Sequence, residues 1–232
     1  MSARRLVPLL ALVTSLAPAR LIAQSVVVDE GTFALTIGGK PAGTETFQIR
    51  RSGMGSDAIV IAQGRVDLTG PDGRVELDPL LEADLPQGAA TSYHLKVSGA
   101  ETAELSLKLA GQRYVSLIRS DAGEEEREFL ARPETHILEE DVAHQYYFLH
   151  NAREGERTPI IEPRTRKQLV LTTSASSDEQ LHLGPNLVQA RKVTFSAGGT
   201  DERTVWFDRQ GRVLKVEIPM RSYVAQRQDL VG

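Results

Sequence analysis

The sequence predicts a mainly β protein, an antiparallel meander of roughly ten to twelve strands that carries a single helix. Apolar and polar residues alternate with period two along most of the chain, and glycine-rich turn signals separate the alternating segments. Only residues 139–152 show helical periodicity. Because no series of helices separates the strands, we do not expect a parallel α/β fold.

The period-two pattern places apolar side chains on one face of each predicted strand and polar side chains on the other. Turn signals such as Gly198-Gly199 follow at short spacing, and glycine supplies the positive φ that tight turns need. The clearest apolar sets are Phe33, Leu35 and Ile37; Phe47 and Ile49; Tyr93, Leu95 and Val97; and Leu105, Leu107 and Leu109. This pattern is typical of an antiparallel sheet that is covered on one side.

The segment Glu139 to Ala152 is predicted to form a helix of roughly three turns, near residues 139–151. Acidic residues open it, which suits a helix N-terminus. Val142, Tyr146 and Leu149 follow at spacings that share one helical face. We therefore expect this helix to pack on the sheet between the two β-rich parts of the chain.

Three consecutive aromatic residues, Tyr146, Tyr147 and Phe148, lie within this segment. On a helix they spread over too wide an arc to face one sheet, so at least one points to solvent, a second layer or a cavity. The plainer interpretation is that two pack in the core and one tyrosine exposes its hydroxyl group. We take these three residues, together with Trp206, as ligand-binding candidates.

Trp206 belongs to a predicted hairpin, Thr204 to Pro219, whose turn is Arg209-Gln210-Gly211 with Gly211 in the left-handed region. In this register Asp208 opposes Arg212 and Trp206 faces Leu214. We expect Trp206 to lie on the concave, core-facing side of the sheet, close to the helix.

The N-terminus has the order of a secretory signal peptide, with a basic region, an apolar run from Leu6 to Leu16 and small residues at Ala23 and Ser25. The apolar run is shorter than the roughly 20 residues that a membrane-spanning helix needs. We expect residues 1–24 to be removed, residues 25–232 to form one domain, and the product to be periplasmic or secreted without a membrane span. The chain contains no cysteine, so disulfides cannot support the core.

The formal net charge is −4, and removal of the three N-terminal arginines would leave 24 basic against 31 acidic residues, a charge of −7. Such a chain repels phosphate backbones unless it has a basic patch, so no nucleic-acid partner is predicted. His136, Asp141 and His144 could be combined into a metal site, but the spacing of a helical zinc motif is absent. We predict no metal, no cofactor and no catalytic residues.

Three stretches resemble secreted bacterial families of the DUF3108-like group: GTFALTIGGKPAGTETFQI, HILEEDVAHQYYFL and WFDRQGRVLKVEI. Those families are similar to the LolA, LolB and RseB type of fold. The resemblance implies a strongly curved antiparallel sheet, an unclosed barrel, with a helix across its concave face. The known carriers of that fold bind lipid or lipoprotein acyl chains in the concavity. LolB-type proteins have an anchoring cysteine that this chain lacks.

The leading hypothesis is a soluble periplasmic or secreted binding protein, not an enzyme, whose partner is a hydrophobic small molecule or a lipidated protein held in the concave face. The alternative is a cell-envelope interaction or scaffold domain whose concavity is filled by its own core. A third hypothesis, a hydrolase that uses His144 with Asp141, requires a polar cleft that holds both residues.

Overall fold

The computed structural model describes residues 25–70, 73–85, 88–199 and 201–230. The expected signal peptide, residues 1–24, lies outside these described residues. None of the helical segments in the described ranges has the length and apolar character that a membrane-crossing helix requires.

One sheet of 15 strands contains almost all of the regular structure. The strands are β1 (Val26–Ile37), β2 (Lys40–Ser52), β3 (Ile59–Gly70), β4 (Gly73–Asp84), β5 (Ala90–Gly99), β6 (Ala103–Ala110), β7 (Arg113–Ser120), β8 (Gly123–Leu130), β9 (His136–Ile137), β10 (Arg157–Glu162), β11 (Lys167–Leu183), β12 (Asn186–Ser196), β13 (Glu202–Phe207), β14 (Val213–Ile218) and β15 (Tyr223–Arg227).

The strand order is β8 through β1 and then β15 through β9, so that β1 and β15 are neighbours at the middle of the sheet. Every pair is antiparallel except β9 and β10. The sheet is not closed, because β8 and β9 each have a neighbour on one side only. Side chains fasten the free edge of β8 instead: the Gln168 amide accepts the Leu130 N–H and donates to the Leu130 carbonyl, and Arg127 donates to the Arg166 carbonyl.

The expected ten to twelve strands were too few. β8 reads GEEEREFL and is exposed at every position except Phe129, so it has no alternating pattern to reveal it. β9 is only two residues long and is buried at both. A strand with two solvated faces and one with two buried faces both escape a search for period-two alternation.

The predicted helix over residues 139–152 is wrong. The segment forms one 3-10 helix of six residues, His144–Leu149, and Asp141 has a left-handed backbone with φ of 69°. Two backbone N–H groups that a helix would use internally donate to Glu45 of β2, those of Ala143 (2.7 Å) and His144 (2.9 Å). Tertiary hydrogen bonds therefore replace the helical ones.

The interior of the curved sheet is filled by this segment and by the inward side chains of the strands. Val142, Tyr146 and Leu149 are each less than 4% exposed and belong to the main core cluster with residues from nearly every strand. A second, smaller cluster contains Leu181, Leu183, Ala190, Trp206 and Leu214. The concave side is thus a packed core and not an empty groove.

Candidate functional site

One end of the sheet is closed by a network of ion pairs, at the end of β10 that contains Glu162 and the end of β13 that contains Arg203. Arg203 donates to Glu162 (2.6 Å) and to Asp201 (3.1 Å). Arg164 contacts Glu139 (3.2 Å), whose side chain is fully buried. These pairs leave a space of only about 50 Å³ between them.

Burial shifts the pKa values of ionisable side chains at this closed end. It raises the pKa of Glu139 to about 7, although Arg164 and two backbone N–H groups favour the charged form. Burial by itself would lower the pKa of Arg203, but Tyr146, Asp201 and Glu162 more than offset it, so the pKa lies above the ordinary value. The network is a buried structural layer in which every arginine has an acidic partner.

The opposite end of the same strands opens into a polar cleft of about 890 Å³. It lies between the loop after the 3-10 helix, the distal part of the β11–β12 hairpin and the turn between β13 and β14. The charged and amide side chains that line it are His150, Asn151, Arg153, Asp178, Gln189, Arg191, Asp208, Arg209 and Gln210. The Arg191 guanidinium donates to the carbonyls of His150 and Ala152, which fixes the loop against β12.

A second, aromatic cleft of about 190 Å³ adjoins it and is lined by Tyr147, Phe148 and His136. The Tyr147 ring meets Phe148 edge-on at 5.5 Å and stacks on His150 at 5.1 Å. The two clefts share the lining residues His150 and Asn151, so they are neighbours on the surface.

His136 gives the aromatic cleft a buried polar atom. Its ring is 6.5 Å from Phe148, and its Nδ1 has no hydrogen-bond partner among the described residues. Burial lowers the pKa of His136 to about 4, and hydrogen bonding to the Gly88 backbone opposes only part of this effect. The ring is therefore neutral at neutral pH, and its Nδ1 is buried behind the surface of the cleft.

The structure separates the four candidates that the sequence suggested. Tyr147 and Phe148 lie together in the aromatic cleft and are half-buried. Tyr146 is buried at the closed end, where its hydroxyl lies 3.5 Å from Arg203. Trp206 lies in the second apolar cluster, beside Leu214 but away from the 3-10 helix.

A β-bulge separates the apolar residues of the predicted hairpin. The predicted turn is confirmed, because the Asp208 N–H donates to the Arg212 carbonyl (3.0 Å) and Gly211 has φ of 80°. However, the register shifts at Leu214, so Trp206 pairs with Lys215, and Val216 and Ile218 join the main core while Leu214 and Trp206 do not. Trp206 lies on the face of β13 opposite to Val205 and Phe207, away from the main core and contrary to our expectation, and the indole N–H donates to Glu179 of the β11–β12 hairpin.

The residues of the metal and hydrolase hypotheses have different partners. His144 is fully buried against Glu45. Asp141 is bound by Arg164 and Arg221 at the closed end. Within the described ranges, no group of three histidine, aspartate or glutamate side chains is arranged to hold a metal ion. His144 and Asp141 therefore do not share a polar cleft.

Sequence reasoning missed the polar cleft altogether. Its residues come from three separate segments, and isolated arginines such as Arg153 and Arg209 have no pattern that distinguishes them from solvated surface residues. The one usable signal was the predicted turn at Gly211. In the structure, a Cβ at this position would lie 2.5 Å from the His150 ring. That close approach brings the β13–β14 turn against the loop at His150.

The fold defines an open, β-barrel-like protein with a filled interior. No family model matches the chain, and no curated protein does. The chain is similar to a solved crystal structure of a β-barrel-like protein, the domain of unknown function DUF1849 from Brucella abortus. The identity is 9%, the TM-score is 0.52, and the match covers 86% of this chain and 94% of that chain. This likeness confirms the β-barrel-like class, while the resemblance to DUF3108-like and LolA-type proteins stays a prediction.

Proposed function

We propose that this chain is a periplasmic or secreted binding protein that holds an amphipathic, lipid-like ligand across the open end of the sheet. The observation that carries the proposal is that two unlike clefts adjoin at His150 and Asn151. One is aromatic and the other is polar, which matches a ligand with an apolar part and a polar head.

The ligand would lie at the open end of the sheet and not inside its concavity. LolA-type carriers, which the sequence resembles, bind acyl chains inside the curved sheet. Here Val142, Tyr146 and Leu149 occupy that interior. The aromatic cleft, at about 190 Å³, is smaller than the roughly 300–1,000 Å³ of ordinary ligand pockets, so it suits one end of a ligand that continues into the polar cleft.

The aromatic cleft also has the composition of a binding site. Half-buried Tyr147 and Phe148 offer large apolar surfaces at low entropic cost. Polar side chains such as His150 and Asn151 line the same cleft and supply the orienting contacts that small-molecule sites use.

The test is a titration of the mature chain with a fluorescent fatty acid, comparing wild type with Tyr147→Ala/Phe148→Ala. We expect saturable binding by wild type and about tenfold weaker binding by the double variant, because both aromatic surfaces are lost. Leu109→Ala is the matched control, since it removes an exposed apolar side chain (41% exposed) from β6. Wild type that binds no fatty acid, or a double variant that binds as well as Leu109→Ala, would refute the proposal.

The filled interior favours a second candidate function, a cell-envelope interaction or scaffold domain without a small-molecule ligand. Its contact surface would be the edge of β8 at the alternate residues Glu124, Glu126 and Glu128, because the backbone of Leu130 is already bonded to Gln168. An unfolding midpoint that no amphiphile raises would favour this candidate, because any ligand that binds the folded state must stabilise it.

A further inference from the structure

We propose that the polar head of the ligand is an anion, a carboxylate or a phosphate, and that Arg153 and Arg209 bind it in the polar cleft. This rests on the proposed function for the apolar part of the ligand. The two arginines come from two different segments that line the cleft, Arg153 from the loop that precedes β10 and Arg209 from the turn between β13 and β14.

Arg209 is free because its acidic neighbour is fully engaged. Oδ1 of Asp208 accepts the N–H groups of Gln210 (2.9 Å) and Arg212 (2.8 Å), and Oδ2 pairs with Nε of Arg212 at 2.7 Å. The Asp208 carboxylate is thereby neutralised by Arg212 inside the turn. The side chain of Arg209 is exposed and has no ion-pair partner in the described part of the chain.

Arg153 is free for a similar reason. The next residue, Glu154, forms no ion pair among the described residues, whereas Glu156 accepts the Arg153 N–H (2.9 Å) and its own N–H donates back to the Arg153 carbonyl (2.9 Å). These bonds define the loop and engage the backbone of Arg153, not its guanidinium. Among the described residues, no acidic side chain forms an ion pair with that guanidinium, which is exposed at the cleft wall.

A third guanidinium, that of Arg191, adds positive charge to the cleft but is not free to bind the ligand. Arg191 donates to two carbonyls and lies 5.7 Å from the centre of the Phe207 ring. Two acids line the cleft, and Asp178 is the one that forms no ion pair among the described residues. The cleft therefore holds three guanidiniums against one uncompensated carboxylate, and anions are the ligand class that this charge attracts.

Arginine suits this task because its planar fork of N–H donors binds a carboxylate or a phosphate in bidentate fashion. A cleft about 890 Å³ in volume is large enough for a head group beside the two arginines. The anion could belong to a lipid or be free in solution, and we assign it to the lipid because the aromatic cleft shares His150 and Asn151 with the polar cleft.

The experiment measures the binding of dodecanoate, dodecanol, acetate and inorganic phosphate to the mature chain by calorimetry. Four proteins are compared: wild type, Arg153→Gln/Arg209→Gln, the charge-preserving Arg153→Lys/Arg209→Lys, and Arg51→Gln/Arg113→Gln as a control with the same change in net charge elsewhere on the surface. We expect wild type to bind dodecanoate about tenfold more tightly than dodecanol. The glutamine variant should lose this preference, the lysine variant should keep part of it, and the control should keep all of it.

Each contrary outcome has its own meaning. Equal binding of dodecanoate and dodecanol by wild type, or an unchanged preference in the glutamine variant, would overturn the anion site while leaving the proposed function intact. Acetate or phosphate that binds as tightly as dodecanoate would overturn the assignment of the anion to a lipid. Failure of wild type to bind either amphiphile would overturn the proposed function itself.

Discussion

Nδ1 of His144 lies 2.6 Å from Oε1 of Glu45, and both side chains are completely buried. The same carboxylate accepts the backbone N–H groups of Ala143 and His144, so three donors of the interior segment converge on one residue of β2. The His144 ring stacks on Phe47 at 5.4 Å, almost parallel to it. This arrangement fixes the path of a segment that has no α-helical hydrogen bonds of its own.

Glu45→Ala is therefore expected to reduce the free energy of unfolding by about 3–5 kcal/mol, as does the removal of one partner from a buried pair. Three donors would be left without an acceptor in the interior. Glu101→Ala, at an exposed position, should change stability by no more than about 0.5 kcal/mol. Equilibrium denaturation of both variants measures the difference, and a Glu45→Ala variant as stable as the control would show that the pair does not support the segment.

Trp206 is expected to be a stability residue and not a ligand residue. It is 4% exposed, and Lys192 and Lys215 lie over its ring at 5.5 and 4.8 Å. Trp206→Ala should cost about 3–5 kcal/mol, as aromatic truncations in cores do. It should leave fatty-acid binding unchanged under conditions where the variant is folded.

Denaturation followed by circular dichroism measures this cost, because Trp206 is the single tryptophan of the chain. Leu187→Ala, which removes an exposed side chain from the β11–β12 hairpin, is the control. The native emission of wild type should be blue-shifted and poorly quenched by acrylamide. A red-shifted, readily quenched emission together with a near-neutral Trp206→Ala would place the indole in water and contradict the packing described above.

Local rules identified much of the sheet because they concern neighbouring residues. Tyr93, Leu95 and Val97 were predicted on one face of a strand, and all three are buried on β5. The turn at Gly211 was predicted from three residues, and its hydrogen bonds form as expected. Strand alternation and turn type depend only on residues that are adjacent in sequence, so they can be predicted without knowledge of the rest of the fold.

Long-range contacts decide what the sequence did not reveal. The helical spacing correctly selected Val142, Tyr146 and Leu149 as buried residues, but the backbone conformation depends on Glu45, about 100 positions earlier in the chain. Tertiary context overrides local propensity in this way. The bulge at Leu214 places Val216 on the opposite face from Leu214 and Trp206, because a slip of one residue exchanges the two faces of a strand.

Gly64→Ala is expected to destabilise the protein by about 1–3 kcal/mol through overpacking. A Cβ at this position would lie 2.8 Å from Cε1 of His144 and 3.3 Å from the carbonyl oxygen of Thr46. Gly70→Ala is a matched control on the same strand, since the nearest atom to its Cβ would be 4.0 Å away. Denaturation should show a cost for the first variant and almost none for the second.

The origin of the Gly64 effect can be isolated with a double-mutant cycle. In a His144→Ala background the main obstacle is absent, so the same substitution should cost about 1 kcal/mol less. A Gly64→Ala cost that is identical in both backgrounds would show that the His144 ring does not occupy the space beside Gly64.

The free energy of unfolding is expected to depend on pH through His136. Burial lowers the pKa of His136 to about 4 in the folded protein, whereas an unfolded histidine titrates near 6.5. Between these values the unfolded chain binds a proton that the folded chain does not, so stability contributed by the neutral ring is present above about pH 6.5 and is lost as the pH falls towards 4. Below the folded pKa both states are protonated and the loss ends. Integrated over this window, the loss is about 3 kcal/mol.

The measurement is the free energy of unfolding of wild type minus that of His136→Gln, taken from pH 8 to the lowest pH at which both proteins fold. Subtraction removes the contributions of Glu134, Glu156 and His150, the other titratable side chains that line the same cleft at these pH values, apart from any change in their coupling to position 136. The difference should be constant above about pH 7 and should fall steadily from about pH 6.5 towards pH 4. A difference that stays flat across this range would mean that His136 titrates like an exposed histidine, and that the aromatic cleft is open to water at its buried nitrogen.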